Sequence, residues 1–320
     1  MSSELWKRFS DDYIENCRAW YHFEENPVIP ATGATWKSRW TANPDVICFG
    51  GRTLLYYRGN GVMPNSDGAH HDRIAVAEIL EAASGSFQFN DLHDGLPVVD
   101  VGGLDEFDGR DVLDPAAVVF RNKVWLYYSA VGPGQDSVGL AVGADGVAFE
   151  KVGSVLVGRA PDVVVVNDQI FMLYQKVCGE GYELYLAVSD DGVTFHDVQQ
   201  DPVFAPVKGD WDGLSVVTAR LVRDGAWFYI IYGGSAYRVD EPDYFGLARS
   251  VDLVEWERHP GNPIFGCGAK GEADGGAIWF PALIETDDSI LLLYEGSRGK
   301  YSWDLSSAIC MASIDKWQKK

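Results

Sequence analysis

The 320-residue chain has no apolar run long enough to cross a bilayer as a helix, a span that takes about 18 to 20 residues. Its first residues, Met1-Ser-Ser-Glu-Leu-Trp-Lys-Arg-Phe9, lack the positive segment followed by an apolar one that marks a secretory signal. Cysteine is scarce and odd in number: Cys17, Cys48, Cys178, Cys267 and Cys310 are scattered without metal-site spacing. Reduced thiols in a cytoplasmic protein are the expectation. Positive charge is short as well, 26 Lys and Arg against 47 Asp and Glu, for a net charge of −21 and a pI near 4.5. Such a surface repels phosphate backbones and anionic lipid, so neither nucleic acid nor membrane is expected as a partner. Acidity by itself keeps a protein soluble and points to no ligand. The chain also has no HExxH, no Gly-x-Ser-x-Gly and no phosphate-binding loop, which leaves metalloprotease, serine hydrolase and nucleotidase without support.

What the chain does have is one module written five times. In Arg110 to Val131, two apolar runs, Pro115 to Phe120 and Val124 to Tyr128, flank the polar Arg121-Asn122-Lys123 and read as a hairpin of buried strands. Fourteen positions separate Asp114 from Tyr128, and the same offset separates Asn43 from Tyr57, Ala160 from Tyr174, Thr218 from Tyr232 and Phe280 from Tyr294. The next residue is Pro44, Pro115, Pro161, Ala219 or Pro281, so four of the five copies carry proline there. This is an internal repeat.

A third strand closes each copy on an alanine, at Ala77, Ala141, Ala187, Ala248 and Ala312, 46 to 64 residues apart. Asp145-Gly-Val-Ala-Phe149, Asp191-Gly-Val-Thr-Phe195 and Asp252-Leu-Val-Glu-Trp256 then supply a turn and an aromatic that opens a fourth strand. Five four-stranded units predict an all-β, five-bladed β-propeller, because a sandwich of short strands needs no copied module. Residues 1–40 read as a short helical or irregular lead-in, with Asn26-Pro-Val-Ile-Pro30 as the spare segment that closes the last blade. Residues 41–320 form the propeller, a single domain.

If positions two apart on a strand face the same side, the innermost strands aim five pairs at one cavity. These are Asn43 with Asp45, Asp114 with Ala116, Ala160 with Asp162, Thr218 with Arg220, and Phe280 with Ala282. The returning strands add Arg58, Ser129, Gln175, Gly233 and Glu295 at the rim. One aspartate at a strand start is ordinarily a cap, but three in a ring repel one another and point to a site.

The sequences Asn43-Pro-Asp45, Leu113-Asp-Pro115 and Ala160-Pro-Asp162, each opening a copy whose second strand ends in Tyr, resemble the five-bladed glycoside hydrolases of the family 32, 43, 68, 117 and 130 group. So do Asp108, Asp212 and Asp274, each 6 residues before the position equivalent to Asp114. The likeness covers residues 41 to 315. It implies a glycosidase acting on a small glycoside or oligosaccharide, with Asp45 as base or nucleophile and Asp114 as the second aspartate. Its proton-donating glutamate is missing from the expected place, where Arg159-Ala-Pro161 stands. Asp162, Glu295 and Glu272 are the candidates to replace it, since glycoside cleavage requires a group that protonates the leaving oxygen.

The same departure fits a family 130-like phosphorylase, in which phosphate attacks and needs one carboxylate plus cations such as Arg58, Arg159, Lys176 and Arg220. A propeller that binds sugar without catalysis is the third reading. Trp36, Trp40, Trp211, Tyr237, Phe280, Tyr301 and Trp303 lie in entry loops or after second strands, where a ring face stacks on a sugar. Asp212 and Asp274 of the entry loops join Asn43, Arg58, Trp211, Arg220 and Phe280 as the substrate-binding candidates. His70 and His71 sit in a long loop, where a solvated pair is the simpler reading. No cofactor is expected, although Ca²⁺ is the ion that channel carboxylates would suit. Oligomeric state is not legible.

Overall fold

The computed structural model describes residues 5–33, 35–63, 66–81, 86–285, 289–300 and 306–315. These form five antiparallel sheets, four of them built from consecutive strands and the fifth completed by a strand from the N-terminal lead-in. The innermost strands are Trp40–Phe49, Asp111–Phe120, Arg159–Val166, Ser215–Asp224 and Ala277–Glu285. Each contacts the next and the fifth contacts the first, which closes a five-bladed propeller. Clusters such as Tyr56, Val76, Val112, Leu126 and Tyr128 pack between neighbouring blades and bury the strand faces.

The predicted turn before each fourth strand is present. Asp145 Oδ1 accepts from the N–H groups of Val147 and Ala148, Asp191 Oδ1 from Val193 and Thr194, and Asp252 Oδ1 from Val254 and Glu255. The following aromatic pins one blade to another, as where Phe149 meets Tyr56 edge-on and Phe195 meets Tyr127.

The lead-in folds against the last two blades. A helix, Tyr13–Arg18, is capped by Asp12, and the Trp20 indole donates to the Ile264 carbonyl at 2.8 Å. The chain then runs along the outside of the fifth blade. Tyr21 and His22 pair with Ser313 and Ala312, and Ile29 adds an isolated bridge to Ile309. The outer strand therefore begins at Tyr21–His22, ahead of the expected Asn26 to Pro30 segment, which continues it: the Val28 N–H donates to the Ile309 carbonyl at 2.8 Å and the Asn26 side chain bonds the Met311 backbone both ways.

Every inner strand carries the same irregularity. Asn43, Asp114, Ala160, Thr218 and Phe280 have φ between 45° and 53°, and the ladder slips at each of them. Two residues of the inner strand stand opposite one residue of the next, and that one residue is the repeated tyrosine: Tyr57, Tyr128, Tyr174, Tyr232 or Tyr294. These are β-bulges, and the repeated proline is their second residue, where no ladder N–H is required. The left-handed backbone is strained for residues other than glycine, and such strain collects at functional sites.

Candidate active site

The bulges decide what faces the cavity. One extra residue per strand breaks the alternation, so the left-handed residue turns into the opening while the residue two further on drops beneath it. The cavity, about 120 Å³, is lined by Asn43 and Arg58 of the first blade, Asp114 of the second, and Arg159 and Gln175 of the third. Thr218 and Asp240 come from the fourth blade, and Trp279, Phe280 and Glu295 from the fifth. Space for one water is about 10–15 Å³, so this volume matches about ten heavy atoms, close to one sugar ring.

The wall is cross-tied from blade to blade. The Asn43 amide donates to Asp114 Oδ1, which holds the first two bulges together. The Ala160 N–H donates to Ser129 Oγ at 2.7 Å, the Thr218 N–H to Gln175 Oε1 at 3.3 Å, and the Asn43 N–H to Glu295. Three of the five rim residues, Ser129, Gln175 and Glu295, thus receive the bulge N–H of the following blade. Among the described residues, five buried polar atoms at this one place have no hydrogen-bond partner: Asn43 Oδ1, Arg58 Nε, Asp114 Oδ2, Arg159 Nε and Glu295 Oε1. Unpaired buried groups are rare in folded proteins, and when they converge on one cavity they fit a polar ligand.

The ionisable groups are tuned by burial. Glu295 is pushed up to about 7, chiefly by burial and further by Asp114, against the pull of Arg58. Asp240 rises to about 6, again through burial first, with Arg159 opposing and Asp114 adding. Burial alone would lower Arg58, but Asp72, Glu295 and Asp114 outweigh it and hold the guanidinium charged. The same balance, led among the carboxylates by Asp114 and Asp240, raises Arg159.

Asp45, Asp162 and Arg220, expected on the wall, lie below its floor. Arg220 donates to the carbonyls of Pro44 (3.1 Å), Pro115 (2.8 Å) and Pro161 (3.3 Å), and to Asp162 Oδ1 at 3.2 Å. It closes the channel from the fourth blade by tying in the first three. Asp45 Oδ2 accepts from the Ala117 N–H at 2.6 Å, and Asp162 Oδ2 accepts from the Leu221 N–H. Burial raises both carboxyls, and Arg220 counters it. Above this plug the Phe280 ring lies 5.1 Å from the Arg220 guanidinium and forms part of the floor.

Trp211, Asp212 and Asp274 are likewise away from the cavity, inside their blades. Asp212 accepts from Tyr232 and Arg258, both at 3.0 Å, and Trp211 packs beside Tyr232. Asp274 accepts from Tyr294 at 2.5 Å and meets His22 Nδ1 at 2.7 Å. The arrangement recurs in all five blades, since Tyr57, Tyr128 and Tyr174 donate to Asp91, Asp108 and Asp197. Lys37, Lys151 and Lys176 supply the cation in those three. Each repeated tyrosine therefore sits in a tyrosine–aspartate–base triad that locks the second strand.

Trp36 is buried in the first blade, its indole donating to the Gly95 carbonyl, and Trp40 donates to Asp72. Tyr237 is exposed, and Glu272 accepts from Ala269 in its own loop. His71 bonds to Asp67 and to the Arg110 carbonyl, off the cavity wall. Tyr301 and Trp303 lie outside the described residues. No group of three or more His, Cys, Asp or Glu is placed to hold a metal ion among the described residues. Asp240 and Trp279 went unnoticed in the sequence, the first in a loop that matches no other blade and the second one residue before a bulge.

No protein-family model matches the chain, and no curated protein does. Solved structures match it over nearly their whole length. A glycosyl hydrolase from Bacteroides ovatus is 14% identical with a TM-score of 0.70, covering 94% of each chain. A β-1,2-mannobiose phosphorylase from Listeria innocua, in complex with β-1,2-mannobiose, is 14% identical with a TM-score of 0.71, covering 92% of this chain and 96% of that one. A third comes from the GH130 family of mannoside phosphorylases, which contains glycoside hydrolases that target β-1,2 mannosidic linkages in Candida mannan. It is 16% identical with a TM-score of 0.69, covering 94% of this chain and 95% of that one. At these identities the likeness is one of fold.

Proposed function

We propose that this protein is a glycoside hydrolase that cleaves a small glycoside or oligosaccharide, with Glu295 as proton donor and Asp114 as the general base or nucleophile. The observation that carries the reading is the pairing of these two carboxyls in one cavity, each with a buried oxygen that no described residue hydrogen-bonds. A carboxylic acid raised to about 7 still holds its proton near neutrality and can deliver it to a leaving oxygen. A neighbouring carboxylate can then activate water or attack the anomeric carbon. Asn43 keeps Asp114 in place through its amide, and the Phe280 ring offers an apolar face below the sugar.

A phosphorylase is the second reading, favoured by Arg58 and Arg159 on the wall and by the fold shared with the Listeria innocua enzyme. It needs one carboxyl for the leaving group and leaves attack to phosphate bound by the guanidinium groups. Release of p-nitrophenol and of reducing sugar from a panel of glycosides, with and without phosphate, separates the two. Phosphate-independent release supports the hydrolase, and strict phosphate dependence the phosphorylase. No release in either condition, together with a sugar-dependent rise in melting temperature, leaves a sugar-binding propeller.

A further inference from the structure

The loop 236–243 joins two strands of the fourth blade, Trp227–Ser235 and Tyr244–Ser250, and reaches over to the fifth. Three ties hold it there. The Trp279 indole donates to the Asp240 carbonyl, the Ile278 N–H donates to the Pro242 carbonyl at 3.1 Å, and Arg238 donates to the Gly276 carbonyl while paired with Asp243 at 3.2 Å. An anchored loop presents the Asp240 side chain to the cavity. Facing it from the third blade is Arg159, whose Nε is buried and unpaired and whose ion pair, to Asp136, is 3.8 Å long. Asp240 is partly exposed at the cavity mouth, and the burial it does have lifts its pKa, a cost that a hydroxyl donor on a ligand would offset.

We propose that Asp240 and Arg159 together form the part of the cavity that recognises two adjacent hydroxyls of the bound sugar, and that Asp240 determines which sugar is accepted. This rests on the glycosidase reading above and adds a substrate requirement to it, a vicinal diol on the ring that is cleaved. A carboxylate accepts from both hydroxyls of such a pair, and a planar guanidinium donates to the same oxygens. Neither group is needed for the proton transfers assigned to Asp114 and Glu295. A site built to bond a hydroxyl discriminates strongly against an analogue that lacks it, because its own polar groups are then left unpaired.

The test compares the wild type with Asp240→Ala and Asp240→Asn on the best aryl glycoside of the panel and on its monodeoxy analogues. In the wild type, removal of one of the two recognised hydroxyls should lower kcat/KM about 10- to 100-fold. In Asp240→Ala the same deletion should change it less than about twofold, with the loss on the full substrate carried by KM. A merely structural Asp240 would leave every deletion with its wild-type factor, which overturns the proposal. Loss of kcat with unchanged KM in Asp240→Asn also overturns it, since that marks a proton-transfer role. If nothing is cleaved, the glycosidase reading fails on its own, and the comparison passes to melting-temperature shifts with free sugars and their deoxy forms. A wild-type shift that Asp240→Ala retains in full, or no shift with any sugar, overturns the recognition role.

Discussion

Arg220 and Asp162 meet at 3.2 Å at the centre of the ring, with 4% and 7% of their side chains open to solvent. The guanidinium also holds the bulge prolines of three other blades through their carbonyls, so one side chain ties four blades together. Arg220→Met should destabilise the fold by about 3–5 kcal/mol, because it leaves buried carboxylates and carbonyls unpaired. Adding Asp162→Asn should restore part of that. Urea unfolding measures both, and an unchanged midpoint in Arg220→Met would remove the tie from the account.

Glu295→Gln should gain stability at the alkaline end. The folded state holds this proton to about pH 7, whereas an unfolded glutamate releases it near its ordinary value of 4.5. The native state thus binds more protons across that window, and wild-type stability falls as pH rises through it. By pH 8 the difference amounts to roughly 3 kcal/mol, which the variant should not lose. Melting temperatures at pH 5 and pH 8 give the slope for each protein, and equal slopes would contradict the placement of Glu295.

Activity should depend on the same proton. As the donor, Glu295 must be protonated, so kcat/KM should decline above about pH 7, and Glu295→Gln should abolish that decline. Rates with natural leaving groups should drop by about 10²–10⁴ in the variant, and those with p-nitrophenol far less, since that group departs without a proton. Asp114→Asn should lower the rate with both kinds of substrate. A Glu295→Gln variant impaired equally on both would reassign the proton donor.

The triads predict a stability loss specific to the fifth blade. Burial would raise Asp274, but the hydrogen bonds from His22 and Tyr294 outweigh it and hold the carboxyl below its ordinary range. That stabilisation is complete above the unfolded pKa and is lost as pH falls through the folded one. His22→Leu should therefore cost about 1–3 kcal/mol near neutrality, with the gap to wild type narrowing toward pH 3. A constant gap at all pH values would show that only packing was lost.

The fold was readable because a copied module shows itself without any rule about side chains. The cavity was misjudged where local geometry overrode periodicity: strict alternation put Asp45, Asp162 and Arg220 on the wall, and five bulges moved them under it. A signal for the bulges was present, since proline four times over inside a buried strand signals a broken ladder. Asp212 and Asp274 were read as sugar ligands, although each lies 20 residues before its tyrosine, as Asp108 does before Tyr128, which is a structural spacing. Asp240 could not be found this way, because its loop repeats nothing.

The outer strand of the last blade has a consequence for how the chain reaches its fold. Tyr21 finds its partner only when Ser313, far later in the chain, has been made. Until then the early blades must wait with unpaired edges and uncovered apolar faces, and the ring cannot close on a partial chain. Contacts so distant along the chain are the slow ones to form. Nascent chains halted anywhere before the fifth blade would thus be the aggregation-prone species, and helper proteins that shield them would govern yield more than the stability of the finished ring.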